Sequence, residues 1–244
     1  MLGFQRLVSS EWIKLRKSSI WLLIFISPLL AAIMEVALIR SGETERKWVS
    51  IMSDMVLLHG FLFLPLLAGI FTAFICRYEH EHGGWKRLLA LPVSRVSVYL
   101  AKFAMAAGLI AGTQLLFLVA IVIVGTVNGM PDIPWSTLLQ SMCGGLVATL
   151  PLVALQLAVS VGWASFATPL AINVIATIPN ILIVNSATYG PYYPWAQPLL
   201  AMMPVTHNNH GALNVSMETL LLVIVGGFAV FFLAGLTYFH RKEV

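Results

Sequence analysis

Charged side chains are scarce in this sequence. They make up 10% of its 244 residues, where an ordinary soluble domain carries about 25%. So little polar side chain cannot cover a globule standing in water, which excludes a free soluble enzyme or binding module. Cysteine is scarcer still: Cys76 and Cys143 are the two, with no disulfide framework and no metal-ligand spacing. Both are expected to be free thiols, Cys76 at the inner edge of a span and Cys143 within one. Also missing is any GxxxxGK[ST] run, and GGWKR at 83–87 is not a phosphate-cradling loop. The chain therefore does not hydrolyse ATP by that route. Nor does it open like a cleavable signal, since residues 1–17 are of mixed polarity and the apolar run that follows is long enough to span. That run is expected to be retained.

What is present is hydrocarbon. Hydrophobic residues reach 59% and mean hydropathy is +0.90, which points to a helical protein crossing a membrane several times. The formal net charge of +4 reflects basic flanks of apolar runs, the mark of a cytoplasmic face against anionic lipid. Nucleic acid is not an expected partner.

In chain order, residues 2–17 read as a short interfacial helix with Glu11, Trp12, Lys14 and Arg16 near its end. A first span is expected over 18–39, kinked at Pro28, with Glu35 at a wet outer rim. The connection RSGETERKW is hydrophilic and short. A second span over 51–76 carries Asp54 near water and His59 deeper, read as a packed, hydrogen-bonded histidine. The third runs to Val127 and contains Gly108 and Gly112, a spacing that permits close helix approach. NGMPDIPWS is an outer turn, with Trp135 as interface anchor. A fourth span covers 138–161, a fifth 169–186 interrupted at Pro179 and Asn180, and a sixth 218–239. Between the last two, 187–216 is too apolar for a free loop and too broken for a clean span, so it is expected to re-enter the outer leaflet. Counting Lys and Arg puts both termini on the cytoplasmic side.

Few residues could carry chemistry. Glu79, His80, Glu81 and His82 alternate, but successive helical side chains do not converge on one ion. His207 and His210 lack a third ligand and a nearby general base. No catalytic or metal site is expected.

The segment from Arg77 to Arg95 is the polar exception. Gly83 and Gly84 break the second span; Trp85, Leu88, Leu89 and Leu91 then alternate with Lys86 and Arg87 until Pro92 stops the turn. This predicts a short amphipathic helix held between two spans, with an aromatic and leucine face suited to a groove on a soluble partner. The rival reading is a helix resting on lipid.

Here the sequence resembles the permease subunit of the ABC-2 type transporters. The likeness lies in SEWIKLRKSS at 10–19, in E-x-E-x-GGWKRLLALPVSR from Glu79 to Arg95, and in AKF at 101–103. It implies a single all-α domain over 1–244 with six transmembrane helices and a coupling helix after the second span. The implied coupling residues are Glu79, Glu81, Gly84, Trp85, Lys86, Arg87, Leu88, Leu89, Pro92 and Arg95. Within the family, the size and the wording of the central segment are most similar to the lantibiotic-immunity permeases. That implies two copies of a cytoplasmic ABC ATPase holding ATP and Mg, a second permease copy or a related permease, and a bacterial cell membrane location. Export of drugs or ions, or a non-transporting sensor or scaffold, are the other readings.

Overall fold

The computed structural model describes residues 2–16, 18–40, 47–90, 92–204 and 215–242. His207, His210 and Leu91 lie outside these, as do the side chains of His82 and Leu89. The described residues form a helical bundle. Its elements are α1 (Leu2–Arg16), α2 (Ile20–Arg40), α3 (Trp48–Leu58), α4 (Leu64–His80), α5 (Gly84–Leu89), α6 (Arg95–Val127), α7 (Trp135–Gly162), α8 (Ala167–Thr177), α9 (Asn180–Ile183), α10 (Gln197–Met202) and α11 (Met217–Arg241).

Five of these runs are long and apolar enough to cross a membrane: Ile20–Ile39, Trp48–His80, Arg95–Val127, Trp135–Gly162 and Met217–Arg241. The expected fifth span over 169–186 is instead a shorter, broken run, Ala167–Ile183. Proline explains the break: Pro179 has no N–H to donate, and its ring crowds the preceding turn.

The second long run is not a uniform α-helix. A π-turn at His59–Phe63 joins α3 to α4, and Pro65 follows in the first turn of α4. Pro65 cannot return a hydrogen bond to the Phe61 carbonyl. The Asn180 amide donates to that carbonyl at 3.1 Å and also to Trp195 O at 3.0 Å. Asn173 donates to the Pro65 and Leu66 carbonyls at 2.9 and 3.3 Å, and its own oxygen accepts from Trp195 Nε1 and Gln156 Nε2. Gly69 makes room for this, since a Cβ there would lie 2.2 Å from Asn173 Nδ2. Two asparagines thus key the broken segment onto α4 at the level of the π-turn.

His59 has no exposed surface. Its ring stacks on Phe117 with centroids 3.8 Å apart; Nδ1 pairs with Ser27 Oγ and Nε2 with Gln114 Oε1. Two expectations are corrected in this region. Glu35 is fully buried rather than set at a wet rim. Gly108 and Gly112 face open space; tight packing is found instead at glycines such as Gly144, where a Cβ would lie 2.6 Å from the Ala201 carbonyl.

Candidate functional site

The ends of six elements meet where the sequence is most basic. α1 comes in along α6, burying Leu7, Glu11 and Leu15 while Phe4, Trp12 and Ile13 stay exposed. It turns into α2 at a corner fastened by Trp21 Nε1, which donates to the Leu15 carbonyl at 3.0 Å. Trp12 stands edge-on to Trp21 with centroids 4.8 Å apart. The apolar side of this helix is thus split between the bundle and the outside.

Within that corner is an ion cluster drawn from three helices. Lys102 of α6, 1% exposed, lies 2.6 Å from Glu79 Oε2 of α4 and 3.3 Å from Glu11 of α1. Its ammonium also donates to the Ile75 carbonyl at 3.0 Å. Lys14 completes the set at 2.7 Å from Glu11 and 2.6 Å from Glu79. Two carboxylates and two ammoniums balance in charge, as buried charges must to be tolerated. Glu79, which as a coupling residue would contact the ATPase or fix the end of the second span, is an internal tie at that end.

The chain then reverses on glycine. Gly83 adopts φ +70°, a left-handed conformation that glycine takes without steric cost. Gly84 lies so close to the end of α4 that a Cβ would be 2.7 Å from the Glu79 Cα and the Tyr78 carbonyl. This fold-back turns the short helix α5 onto the bundle and drives Trp85 inward.

Trp85 is a correction to the sequence reading. Expected on the outward face with Leu88 and Leu89, it is 5% exposed and fills a socket lined by His80, Tyr99, Lys102 and Phe239. Lys102 Nζ and Lys242 Nζ lie 5.5 and 5.7 Å from its ring centroid, within cation–π range. The indole N–H donates to His80 Nδ1 at 3.2 Å, and His80 Nε2 lies 2.7 Å from the Ser160 carbonyl of α7. A helix of six residues offers little periodicity from which to choose its inward face.

Helix ends complete the assembly. Arg95 donates to the Phe239, His240 and Lys242 carbonyls at 3.3, 2.8 and 2.7 Å, capping α11. Lys242 donates to the Val161 carbonyl at 2.6 Å, capping α7. Burial against these neighbours holds the Lys242 ammonium below the usual lysine range.

Lys86, Arg87, Glu81 and Pro92 face outward, with Leu88 half-buried beside them. Glu81 pairs with Arg77 at 2.8 Å. Arg16 is exposed. The outward surface is polar and basic, and the apolar anchor is internal. Sequence reasoning passed over Lys102, His80, Ser160, Phe239 and Lys242 as members of this site. Lys102 alone carried a usable signal, as a charge two turns inside an apolar helix that needs a buried partner.

A family model described as ABC-2 family transporter protein matches residues 7–180, a stretch that includes the ion cluster and α5. No curated protein matches the chain.

Proposed function

The chain belongs to the ABC-2 transporter family, and from that premise we propose that it is the permease half of an ATP-driven exporter whose ATPase is a separate cytoplasmic subunit. One observation carries the reading. The helix α5 between the second and third long runs is fastened by Trp85 and by its neighbour Glu79 to α1, α4, α6, α7 and α11 together. A force applied to its outer surface is therefore distributed to most of the bundle at once.

In this mechanism two ATPase subunits, holding ATP and Mg, bind the surface made by Glu81, Lys86, Arg87, Leu88 and Pro92. Closure of the ATPases pushes α5, and α4 carries the displacement along its length. At the far end of α4, the asparagine contacts to Phe61, Pro65 and Leu66 pass it to α8, α9 and α10. An inner push thereby becomes a rearrangement of the broken segment on the other side.

The transporter is a dimer of this chain or of this chain with a related permease, in a bacterial cell membrane. The segment 167–202 acts as the fifth of six passages. Two sets of contacts support this: α8 packs along α4 from Phe74, whose ring meets Phe166, to Pro65, and α10 meets the opposite end of α7 through Ser141 and Met202. An even number of passages puts both termini on the basic, cytoplasmic side. The cargo is an amphipathic molecule taken from the membrane, with lantibiotic-like antimicrobial peptides the substrate class to test first, on the strength of the resemblance in the central segment.

The test is purification of the tagged chain from its native membrane in mild detergent, with mass spectrometry and an ATPase assay on the eluate. A stoichiometric subunit bearing a phosphate loop, lost on Lys86→Glu with Arg87→Glu, is the expected result. Recovery of the chain alone in several detergents would overturn the assignment.

A further inference from the structure

His80 is the last residue of α4, and its ring stands between α5 and α7. On one side Nδ1 faces Trp85 Nε1 at 3.2 Å; on the other Nε2 faces the Ser160 carbonyl at 2.7 Å. Ser160 lies in the last turn of α7, where helix carbonyls lack intrahelical donors. An indole N–H only donates and a carbonyl only accepts. The nitrogen toward Trp85 must therefore be bare and the nitrogen toward Ser160 must carry the proton. Rotating the ring changes the names of the nitrogens and not this requirement. Only neutral imidazole makes both bonds.

We propose that His80 is the positioning residue that latches the Trp85 anchor of α5 to α7, and that its protonation opens the latch. The proposal rests on the coupling role assigned to α5 above. A second proton on the ring would point at the Trp85 N–H, donor against donor, and the bond from α5 would be lost while the bond to α7 remained. The charges around the ring are mixed. Arg77, Glu79 and Glu81 belong to its own helix and the turn after it, Lys102 approaches from α6 and Lys242 from beyond α11. Lys102 and Lys242 are ammonium donors with no lone pair to offer the Trp85 N–H, while the Glu79 carboxylate is held by Lys14 and Lys102 and that of Glu81 by Arg77. At low pH α5 is expected to stay folded while the push from the ATPase no longer reaches α7 through Trp85.

Glutamine at position 80 provides the discriminating variant, since its amide oxygen accepts and its NH2 donates without titrating. The signal is Trp85 fluorescence, taken as the difference between each protein and its Trp85→Phe counterpart, because the chain has 7 tryptophans. In the purified native chain this difference signal should titrate as one proton binds, and in His80→Gln it should be flat over the same pH range. A flat signal in the native chain, or the same titration surviving in His80→Gln, would overturn the proposal. With the ATPase partner in vesicles, transport by the native complex should fall through that titration, His80→Gln should hold its rate, and His80→Ala should be low at every pH. A complex that transports nothing at any pH, while the Trp85 titration is present, would refute the transporter reading and leave the latch intact.

Discussion

Lys102 Nζ and Glu79 Oε2 lie 2.6 Å apart between α6 and α4, with both side chains almost wholly out of contact with solvent. Each is also held by a charge on α1, so the three helices share one electrostatic joint. Lys102→Met should leave two carboxylates facing one lysine in a buried site, at a cost of about 3–5 kcal/mol. Thermal unfolding in detergent would show it. The double variant Lys102→Met with Glu79→Gln should recover part of the loss, because it removes a charge of each sign. A double variant no more stable than Lys102→Met alone would mean that the two residues act independently.

The outward residues of α5 should behave differently. Lys86→Glu with Arg87→Glu alters exposed side chains, where substitutions usually shift stability by about 0.5 kcal/mol or less. The expected outcome is an unchanged unfolding temperature with at least a tenfold loss of ATPase co-purification. Trp85→Ala should show the reverse order of effects, losing stability first, because it empties a packed socket.

Gly69 and Asn173 form a testable pair on the other half of α4. Gly69→Ala should be destabilising by more than 1 kcal/mol, since the new Cβ would sit 2.2 Å from Asn173 Nδ2 and overpacking typically costs about 1–3 kcal/mol. Asn173→Ala is also unfavourable alone, as it strips a donor from the Pro65 carbonyl. Combined, the two should cost less than their sum, because the second change removes the clash created by the first. Strict additivity in unfolding measurements would contradict this packing.

The proposed sidedness, with the basic end in the cytoplasm, is open to direct labelling. In a background free of the native cysteines, Lys86→Cys should resist a membrane-impermeant maleimide in intact cells and react after permeabilisation. Lys47→Cys, at the other end of the second long run, should react in intact cells. The opposite pattern would invert the proposed orientation.

The run of apolar residues was enough to place the long helices, because about 20 apolar residues are needed to cross a bilayer and few other structures demand them. The break at Pro179 and Asn180 could also be read, since proline cannot continue a helix. Which face of a helix turns inward was harder. Trp85 reads in the sequence as a partner-facing aromatic, and the fold-back of α5 on α4 at Gly83 and Gly84 turns it inward. Glu35 looked solvent-exposed because depth along a helix was legible and rotation about its axis was not. Gly108 and Gly112 had the spacing for close packing, yet the partner helices approach elsewhere. The ion cluster joins Glu11 to Lys102 across 91 positions, and no local pattern announces a pairing of that range.

The asparagine contacts at the π-turn join parts of the chain that are made far apart in time. A run as short as Ala167–Ile183, with polar backbone at its break, has no comfortable place in lipid by itself. Asn173 and Asn180 have their partners on Phe61, Pro65 and Leu66, in a run that leaves the ribosome before they do. The segment 167–202 is thus a late arrival, seated on a scaffold built from residues translated about a hundred positions earlier. Nascent chains that stop short of α8 leave those carbonyls without their asparagine donors.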